Sequence, residues 1–342
     1  MDFYDLELDQ QLEHLCEIAL NALPHWSLDS ESTVTAVKHR ENAVFKVVTP
    51  EKVCYALRVH RLDYHTDAEL QSEMQWMNAM RERGVMTPKP ILSAQGQYVE
   101  VVTSAFLPEG RQVDMLEWID CQPLGSIEDG IDNTEQYQMV GQLMAKLHSE
   151  TEKWPLPENF TRAHWDVDGL LGKNPLWGRA WDHEDLTPEQ RVLIIEARAQ
   201  GRKVLSSIPK QAPQYGLIHC DFLPENLLVD GSGQIHLIDF DDAGFGYHMF
   251  DIATTVFWFM GDESFDDIVA QFLEGYESVR QLPDEQKELL PWFLLIRGMA
   301  YLGWGQTRSE TDVAKEMFAP VVEAVTGLAS MLLPTSEEIA QA

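Results

Sequence analysis

The chain is short of basic residues. Only 25 Lys and Arg stand against 56 Asp and Glu among its 342 residues, which gives a formal net charge of -31. A charge of this sign repels nucleic acid and anionic membrane surfaces, so neither is expected as a partner. It would attract a cationic ligand, although solubility alone also accounts for an acidic surface. The charge therefore excludes polyanion binding but does not choose a substrate.

Cysteine and long apolar stretches are scarce as well. The four cysteines, Cys16, Cys54, Cys121 and Cys220, show neither CxxC pairs nor metal-ligand spacing, so buried reduced thiols are expected. No apolar stretch has the length of a membrane span. The acidic start of the chain is also unlike a signal peptide. These absences predict a cytoplasmic protein.

The length and the patterning predict two lobes of different construction. A chain of 342 residues is too long for one comfortable core. Up to about residue 119, short strand patterns alternate with turns, whereas most of the remainder has helical spacing. We therefore expect an α+β fold with a small N-terminal lobe, built on an antiparallel sheet, and a larger, mainly helical C-terminal lobe. The turn-rich segment 120–125 places the boundary between lobes 1–119 and 120–342.

Several local elements follow from the same patterns. Residues 34–48 predict a hairpin with its bend near His39–Asn42, and residues 53–60 alternate like a half-buried strand. Thr66 is placed to cap a helix that ends at Gly84. Further strands are expected at 98–102 and 113–119, and helices at 134–150 and 187–208.

The most informative motif is the segment His219–Asn226, which is followed closely by Asp239. A short apolar strand ends at His219, so Asp221 is expected to project from a turn at the floor of a cleft. In phosphoryl transfer, an Asp in this position orients an attacking hydroxyl and accepts its proton, and alignment matters more than basicity. The pattern predicts that Asp221 is the general base of a kinase.

Asn226 and Asp239 are the predicted metal ligands. A hard cation such as Mg²⁺ prefers oxygen ligands, and a hairpin over residues 229–238 would bring Asp239 beside Asn226. Either residue alone would more often cap a helix or shape a turn. The combination with Asp221, at these intervals, favours function.

These residues resemble those of the aminoglycoside phosphotransferase and choline kinase superfamily, which has a protein-kinase-like fold. His219–Asn226 is similar to that family's catalytic loop and Ile238–Phe240 to its metal-binding segment. The resemblance is closest to homoserine-kinase-like and stress-response-kinase-like bacterial members. It implies ATP and Mg²⁺ as cofactors, a nucleotide-binding N-terminal lobe, and a C-terminal lobe that carries catalysis and substrate binding. It also implies that Arg58, in Tyr55–Arg58, meets the phosphates and that Glu73 pairs with that cation.

The chain departs from kinases at two points. Arg58 stands where kinases place a Lys, and a guanidinium is bulkier although it grips phosphate well. A glycine-rich phosphate loop is also missing, so the backbone of Asn42 and Ala43 is expected to cover the phosphates instead. The resemblance further places the hinge, whose backbone would bind adenine, at Glu117, Trp118 and Ile119.

The acceptor is the least determined part. Too few residues separate Asp239 from the next helix for the activation segment of a regulated protein kinase, which favours a small molecule. We expect an amino alcohol or an amino acid such as homoserine. A stress-response Ser/Thr protein kinase, an aminoglycoside-type antibiotic phosphotransferase and a non-catalytic nucleotide-binding scaffold remain alternatives. The acceptor pocket could be walled by four aromatic residues, Trp258, Trp292, Tyr301 and Trp304. Their rings would suit a cationic amino group, although such spacing is more often helix core.

Overall fold

A computed structural model describes residues 3–39, 42–126, 134–309 and 311–334. The strands are β1 (Thr33–His39), β2 (Ala43–Val48), β3 (Cys54–Val59), β4 (Val99–Val102), β5 (Arg111–Glu117), β6 (Gln122–Pro123), β7 (His164–Trp165), β8 (Tyr215–Ile218), β9 (Leu227–Val229), β10 (Ile235–Leu237) and β11 (Gly244–Tyr247). The α-helices are α1 (Leu8–Ala22), α2 (Asp67–Glu82), α3 (Gln136–Glu152), α4 (Val167–Leu171), α5 (Pro188–Ser207), α6 (His248–Val256), α7 (Phe265–Glu277), α8 (Asp284–Lys287), α9 (Leu290–Gln306) and α10 (Asp312–Leu332).

Unit 1 comprises residues 1–122, 155–161 and 230–238 and is built on a five-stranded sheet. The strand order is β1-β2-β3-β5-β4, and every neighbouring pair is antiparallel. Phe45 and Leu57 are fully buried on one face, in a core shared with α1. Because side chains alternate along a strand, Arg58 points to the other face, where the register pairs it with Asp114.

Helix α2 carries the predicted Glu73 into the interior of unit 1. Its N-terminus is fixed by a capping box, in which the Thr66 hydroxyl accepts from the Glu69 amide and the Glu69 carboxylate accepts from the Thr66 amide. The chain leaves the helix through Gly84, whose φ of 79° is the left-handed conformation that favours glycine. Within the helix, the Glu73 side chain is fully buried.

Unit 2 comprises residues 123–154, 162–229 and 239–342 and is mainly helical. Its small sheet has the order β7-β11-β8, with β11 parallel to β7 and antiparallel to β8. Helices α3 and α7 pack closely because each places a glycine at the contact. A Cβ at Gly141 would lie 2.1 Å from the Phe272 carbonyl oxygen, and one at Gly275 would lie 1.9 Å from the Gln138 carbonyl oxygen.

The expected α+β, two-lobed fold is confirmed. The predicted strand at 113–119 is observed two residues earlier, at Arg111–Glu117. The predicted hairpin of residues 34–48 forms from β1 and β2, but residues 40 and 41 of its bend lie outside the described residues. The assignment of nucleotide binding to 1–119 and of catalysis to 120–342 stays a prediction. No helix in the described part of the chain is both long and apolar enough to cross a membrane.

Candidate active site

The loop that carries Asp221 leaves β8 through a strained residue. Cys220 has a φ of 64°, in the left-handed region that is unfavourable for a side chain with a Cβ. Two hydrogen bonds hold it there, because the Asp251 carboxylate accepts from the amides of His219 at 3.1 Å and Cys220 at 2.8 Å. A backbone held against its preference in this way is typical of functional loops. The bend leaves Asp221 half-buried at the tip.

Asn226 returns to Asp221 across the same loop. Its side-chain nitrogen donates to the Asp221 carbonyl oxygen at 2.9 Å and to the carboxylate oxygen Oδ2 at 2.6 Å. Because both donations come from Nδ2, the amide oxygen Oδ1 remains available for other ligands. A neutral oxygen beside a carboxylate fits a hard divalent cation. These residues therefore fit the predicted general base and one predicted metal ligand.

Asp239, like Cys220, has a left-handed backbone, at a φ of 64°. The next residue, Phe240, is fully buried and packs edge-on against the His219 ring, with 4.7 Å between the ring centroids. Arg162 fixes the segment that follows, because its guanidinium donates to the carbonyl oxygens of Phe240, Asp241 and Ala243. The catalytic loop and the Asp239 segment are thus joined through His219.

The Asp251 side chain is itself held by buried histidines. His148 contacts the Asp251 carboxylate through Nε2 at 3.1 Å and the Tyr276 hydroxyl through Nδ1 at 2.9 Å, and His248 stacks on His148. Burial holds the pKa of both histidines well below the ordinary value, so both are neutral. Burial also raises the pKa of Asp251, against the opposing effect of His219 and the two amides. The buried Asp251 and its histidine neighbours therefore fix the geometry of the loop that carries Asp221.

In unit 1, Arg58 and Glu73 meet as the resemblance implied, and a third residue joins them. The Arg58 guanidinium donates to Glu73 Oε1 at 2.8 Å and bidentately to Asp114, at 2.9 and 2.7 Å. Asp114 also contacts His60 Nε2 at 2.6 Å. Although burial opposes ionisation, the charges of Arg58 and His60 lower the pKa of the Asp114 carboxyl to about 2. Arg58 is thus shared between two carboxylates.

Asn42 directly precedes β2 and Ala43 begins it, at the predicted phosphate-covering hairpin. The Asn42 side-chain oxygen accepts from the Arg61 amide at 3.3 Å, and Ala43 is buried and paired with His39 and Val59. The Asn42 side chain therefore ties this end of the hairpin to the segment after β3. Phosphate contact by this backbone stays a prediction.

The predicted hinge lies at the end of β5. The Glu117 amide donates to the Lys89 carbonyl oxygen at 2.8 Å and the Trp118 amide to that of Cys54 at 3.4 Å, so both amides are engaged within unit 1. Lys46 lies over the Trp118 ring, 4.3 Å from its centroid. A cavity of about 430 Å³ adjoins these residues. Any backbone donor for a base would therefore come from the half-buried Ile119.

Comparison with known proteins decides the family. The model of the APH phosphotransferase enzyme family matches residues 33–289. The chain belongs to the APH phosphotransferase family. This APH phosphotransferase is a kinase, as expected from Asp221, Asn226 and Asp239.

Several relatives have named activities. Amicoumacin kinase of Bacillus subtilis (strain 168) is 24% identical over 285 residues, which cover 80% of each chain. Homoserine kinase of Rhizobium meliloti (strain 1021) is 28% identical over 263 residues, which cover 76% of this chain and 73% of the relative. Both names are those of small-molecule kinases.

Solved structures agree with the fold. The microcompartment-associated aminopropanol kinase has a TM-score of 0.81 at 29% identity, covering 92% of this chain and 96% of that one. Amicoumacin kinase hAmiN, in complex with AMP-PNP, Ca²⁺ and Ami, has a TM-score of 0.73 at 20% identity, covering 94% of each chain. The ATP analogue and the divalent ion in that complex are consistent with the predicted cofactors, ATP and Mg²⁺.

Sequence reasoning missed Asp114 and Arg162. For Asp251, at the expected start of a helix, the sequence favoured a capping or loop-bracing role, and the structure shows it bracing the catalytic loop. A signal for Asp114 was present, because an Asp within the apolar stretch Val113–Leu116 needs a buried partner. Arg162 had no such signal, since it lies in an irregular segment. Across the described residues, no group of three His, Cys, Asp or Glu side chains is arranged to hold a metal.

Proposed function

We propose that this kinase transfers the γ-phosphate of Mg-ATP to a hydroxyl of a small molecule, an amino alcohol or an amino acid such as homoserine. The observation that carries the proposal is the contact between Asp221 and Asn226, in a loop that Asp251 holds in a strained conformation. Such rigidity suits phosphoryl transfer, in which catalysis is mainly positioning and electrostatic stabilisation. We also propose that the protein carries out this function in the cytoplasm.

The three candidate site residues of unit 2 then have one role each. Asp221 accepts a hydrogen bond from the acceptor hydroxyl, aligns it for attack and takes up its proton. Asn226 Oδ1 and a carboxylate oxygen of Asp239 would hold the metal. The bound Mg²⁺ would neutralise charge on the phosphates. The donation from Asn226 Nδ2 keeps Asp221 oriented between turnovers.

The roles in unit 1 concern the nucleotide. Arg58, oriented by Glu73, is proposed to meet phosphate, the backbone of Asn42 and Ala43 to cover it, and the backbone of residues 117–119 to bind the base. The carboxylates of Glu73 and Asp114 offset the Arg58 charge, which weakens the attraction of Arg58 for phosphate.

An antibiotic acceptor is the second candidate. One of the relatives is named amicoumacin kinase, at 24% identity. The two candidates differ in acceptor size, so an acceptor panel that spans hydroxy amino acids, amino alcohols and aminoglycosides separates them.

The test is ATP-dependent phosphorylation of that panel, measured by ADP release and by the mass of the product. We expect transfer by the wild type and a loss of about 10²- to 10⁴-fold in Asp221→Asn, because the base and its alignment are removed. Asp168→Asn, which changes an Asp with an 83% exposed side chain in the same unit, is the matched control and should keep full activity. Undiminished transfer by Asp221→Asn contradicts the proposal.

A further inference from the structure

Arg297 is a charged residue in a helix that is otherwise uncharged. Helix α9 is buried on most of its surface, and Arg297 is the only charged residue between Leu290 and Gln306. Its side chain is nevertheless fully buried, at 0% exposure. Since a charge is rarely buried without a partner, the surroundings of Arg297 should show what it binds.

Aromatic rings surround the guanidinium. Its central carbon lies 4.7 Å from the ring centroid of Trp177, 5.3 Å from that of Phe250 and 4.2 Å from that of Tyr301. Of the four residues predicted to wall the acceptor pocket, Tyr301 is the one among these three rings, and the cation that it contacts belongs to the protein itself. These rings have no need of a cationic amino group from a substrate.

Most of the hydrogen-bonding capacity of Arg297 is unused. Nη2 donates to the Tyr301 hydroxyl at 3.0 Å, whereas Nε and Nη1 are buried and have no acceptor among the described residues. In the same part of the chain, no carboxylate lies within ion-pair distance of Arg297. A buried guanidinium with unused donors is complementary to an anion.

Tyr301 extends this donor set towards solvent. Its oxygen accepts from Arg297 and also from Trp258 Nε1 at 2.9 Å, so its own proton is left for another group. Burial, with the charge of Asp221, outweighs Arg297 and raises the pKa of Tyr301, so the phenol keeps that proton. Trp258 is half-buried, and the hydrogen-bonded chain thus runs from the guanidinium to a side chain that solvent reaches.

The cluster lies beside the catalytic loop. Phe250, which packs on Arg297, directly precedes Asp251, and Asp251 binds the amides of His219 and Cys220 just before Asp221. Arg297 and Tyr301 also interact electrostatically with Asp221 itself. An anionic group bound here would belong to a molecule whose hydroxyl reaches Asp221.

The geometry points to Arg297 and Tyr301 as the binding site for a carboxylate of the acceptor, which makes the acceptor a hydroxy acid of the homoserine type rather than an amino alcohol. The Tyr301 hydroxyl donates to the carboxylate, and Arg297 supplies the compensating charge and its unused N–H groups. This inference rests on the proposed hydroxyl transfer.

The test uses two acceptors that differ only in the carboxylate, L-homoserine and 3-aminopropan-1-ol. The wild type should prefer homoserine in kcat/KM. Arg297→Met should lower kcat/KM for homoserine by about 10- to 100-fold, mainly through KM, because a charge-assisted bond is lost. The value for 3-aminopropan-1-ol should change less than about threefold, since no such bond exists there. Tyr301→Phe should likewise lower kcat/KM for homoserine and not for 3-aminopropan-1-ol. It provides the test if Arg297→Met does not fold.

Arg198→Met is the matched control, because Arg198 also stacks on a tryptophan, Trp181 at 4.1 Å, but donates to the carbonyl oxygens of Leu171 and Gly172. It should leave the homoserine preference unchanged. A wild type that favours 3-aminopropan-1-ol, or an equal loss for both acceptors in both variants, overturns the inference while leaving hydroxyl transfer intact. Calorimetric binding of homoserine that is lost in Arg297→Met, without any phosphorylation, supports the carboxylate site and contradicts the proposed function instead.

Discussion

Arg58 in unit 1 and Arg297 in unit 2 are both buried guanidiniums, but they are held in opposite ways. Arg58 meets two carboxylates at 2.7–2.9 Å, whereas Arg297 meets three aromatic rings and one phenol. A guanidinium whose charge is offset within the protein serves structure first, because its donors are used. One whose donors are unused has capacity left for a ligand. The surroundings of a buried charge thus tell more about its role than its burial does.

Removing Arg58 should have the largest effect on stability. Arg58→Met removes the guanidinium that both Asp114 and Glu73 bind in the protein interior, so we expect the free energy of unfolding to fall by about 3–5 kcal/mol. Urea unfolding measures this change. The control is Lys153→Met, which breaks an ion pair between an exposed lysine and Glu150 and should cost less than about 1 kcal/mol. A comparable small loss in Arg58→Met would remove the distinction between the two guanidiniums.

The pH dependence of stability tests the role of Asp114 as a charged partner of Arg58. The pKa of Asp114 is about 2 in the folded protein and about 3.9 in the unfolded chain, so the unfolded chain binds more protons between these values. Stability from this group is therefore present above about pH 4 and lost as the pH falls towards 2, by about 2 kcal/mol. Urea unfolding from pH 5 to 2 should show this loss in the wild type and not in Asp114→Asn. Parallel curves for the two proteins would contradict the assignment.

Removing Arg297 should cost less than removing Arg58. Arg297→Met loses contact with three rings and one hydrogen bond, but it leaves no carboxylate unpaired and also removes the unused donors. We expect the free energy of unfolding to fall by about 1–2 kcal/mol, measured in the same urea titration. A loss equal to that of Arg58→Met would show that Arg297 has a structural counter-charge and would weaken its assignment to a ligand.

The smallest effect is expected at Lys46, a cation that packs on Trp118 at half-buried positions. Lys46→Met should lower the free energy of unfolding by no more than about 0.5–1 kcal/mol, because solvent weakens an exposed cation–π contact. Urea unfolding against the wild type measures it. A cost above that of Arg297→Met would mean that burial does not set the strength of these contacts.

The parts of the site that the sequence predicted are those carried by short segments. Asp221 and Asn226 lie five residues apart, so one loop brings them together, and the structure places them in contact at 2.6 Å. Arg58 and Glu73 were paired only through the family resemblance, and the structure also has them in contact. Their roles in transfer stay predictions.

Partners from distant segments could not be predicted in the same way. Asp114 meets Arg58 because β3 pairs with β5 in one particular register, which no local pattern specifies. Tyr301 was expected to suit a cationic ligand, and only its packing revealed that Arg297 already lies against its ring.

By itself, the sequence determined the two-lobed α+β fold and the order of the chemical groups from His219 to Asp239, because strand and helix periodicity and loop spacing are local properties. The family followed from the resemblance of those groups to known kinases. Only the tertiary structure decided which buried charges are paired: Arg58 binds Asp114 and Glu73, whereas no carboxylate of the described chain lies within ion-pair distance of Arg297. Electrostatic compensation depends on distances of a few ångströms between segments far apart in sequence, and folding alone sets those distances.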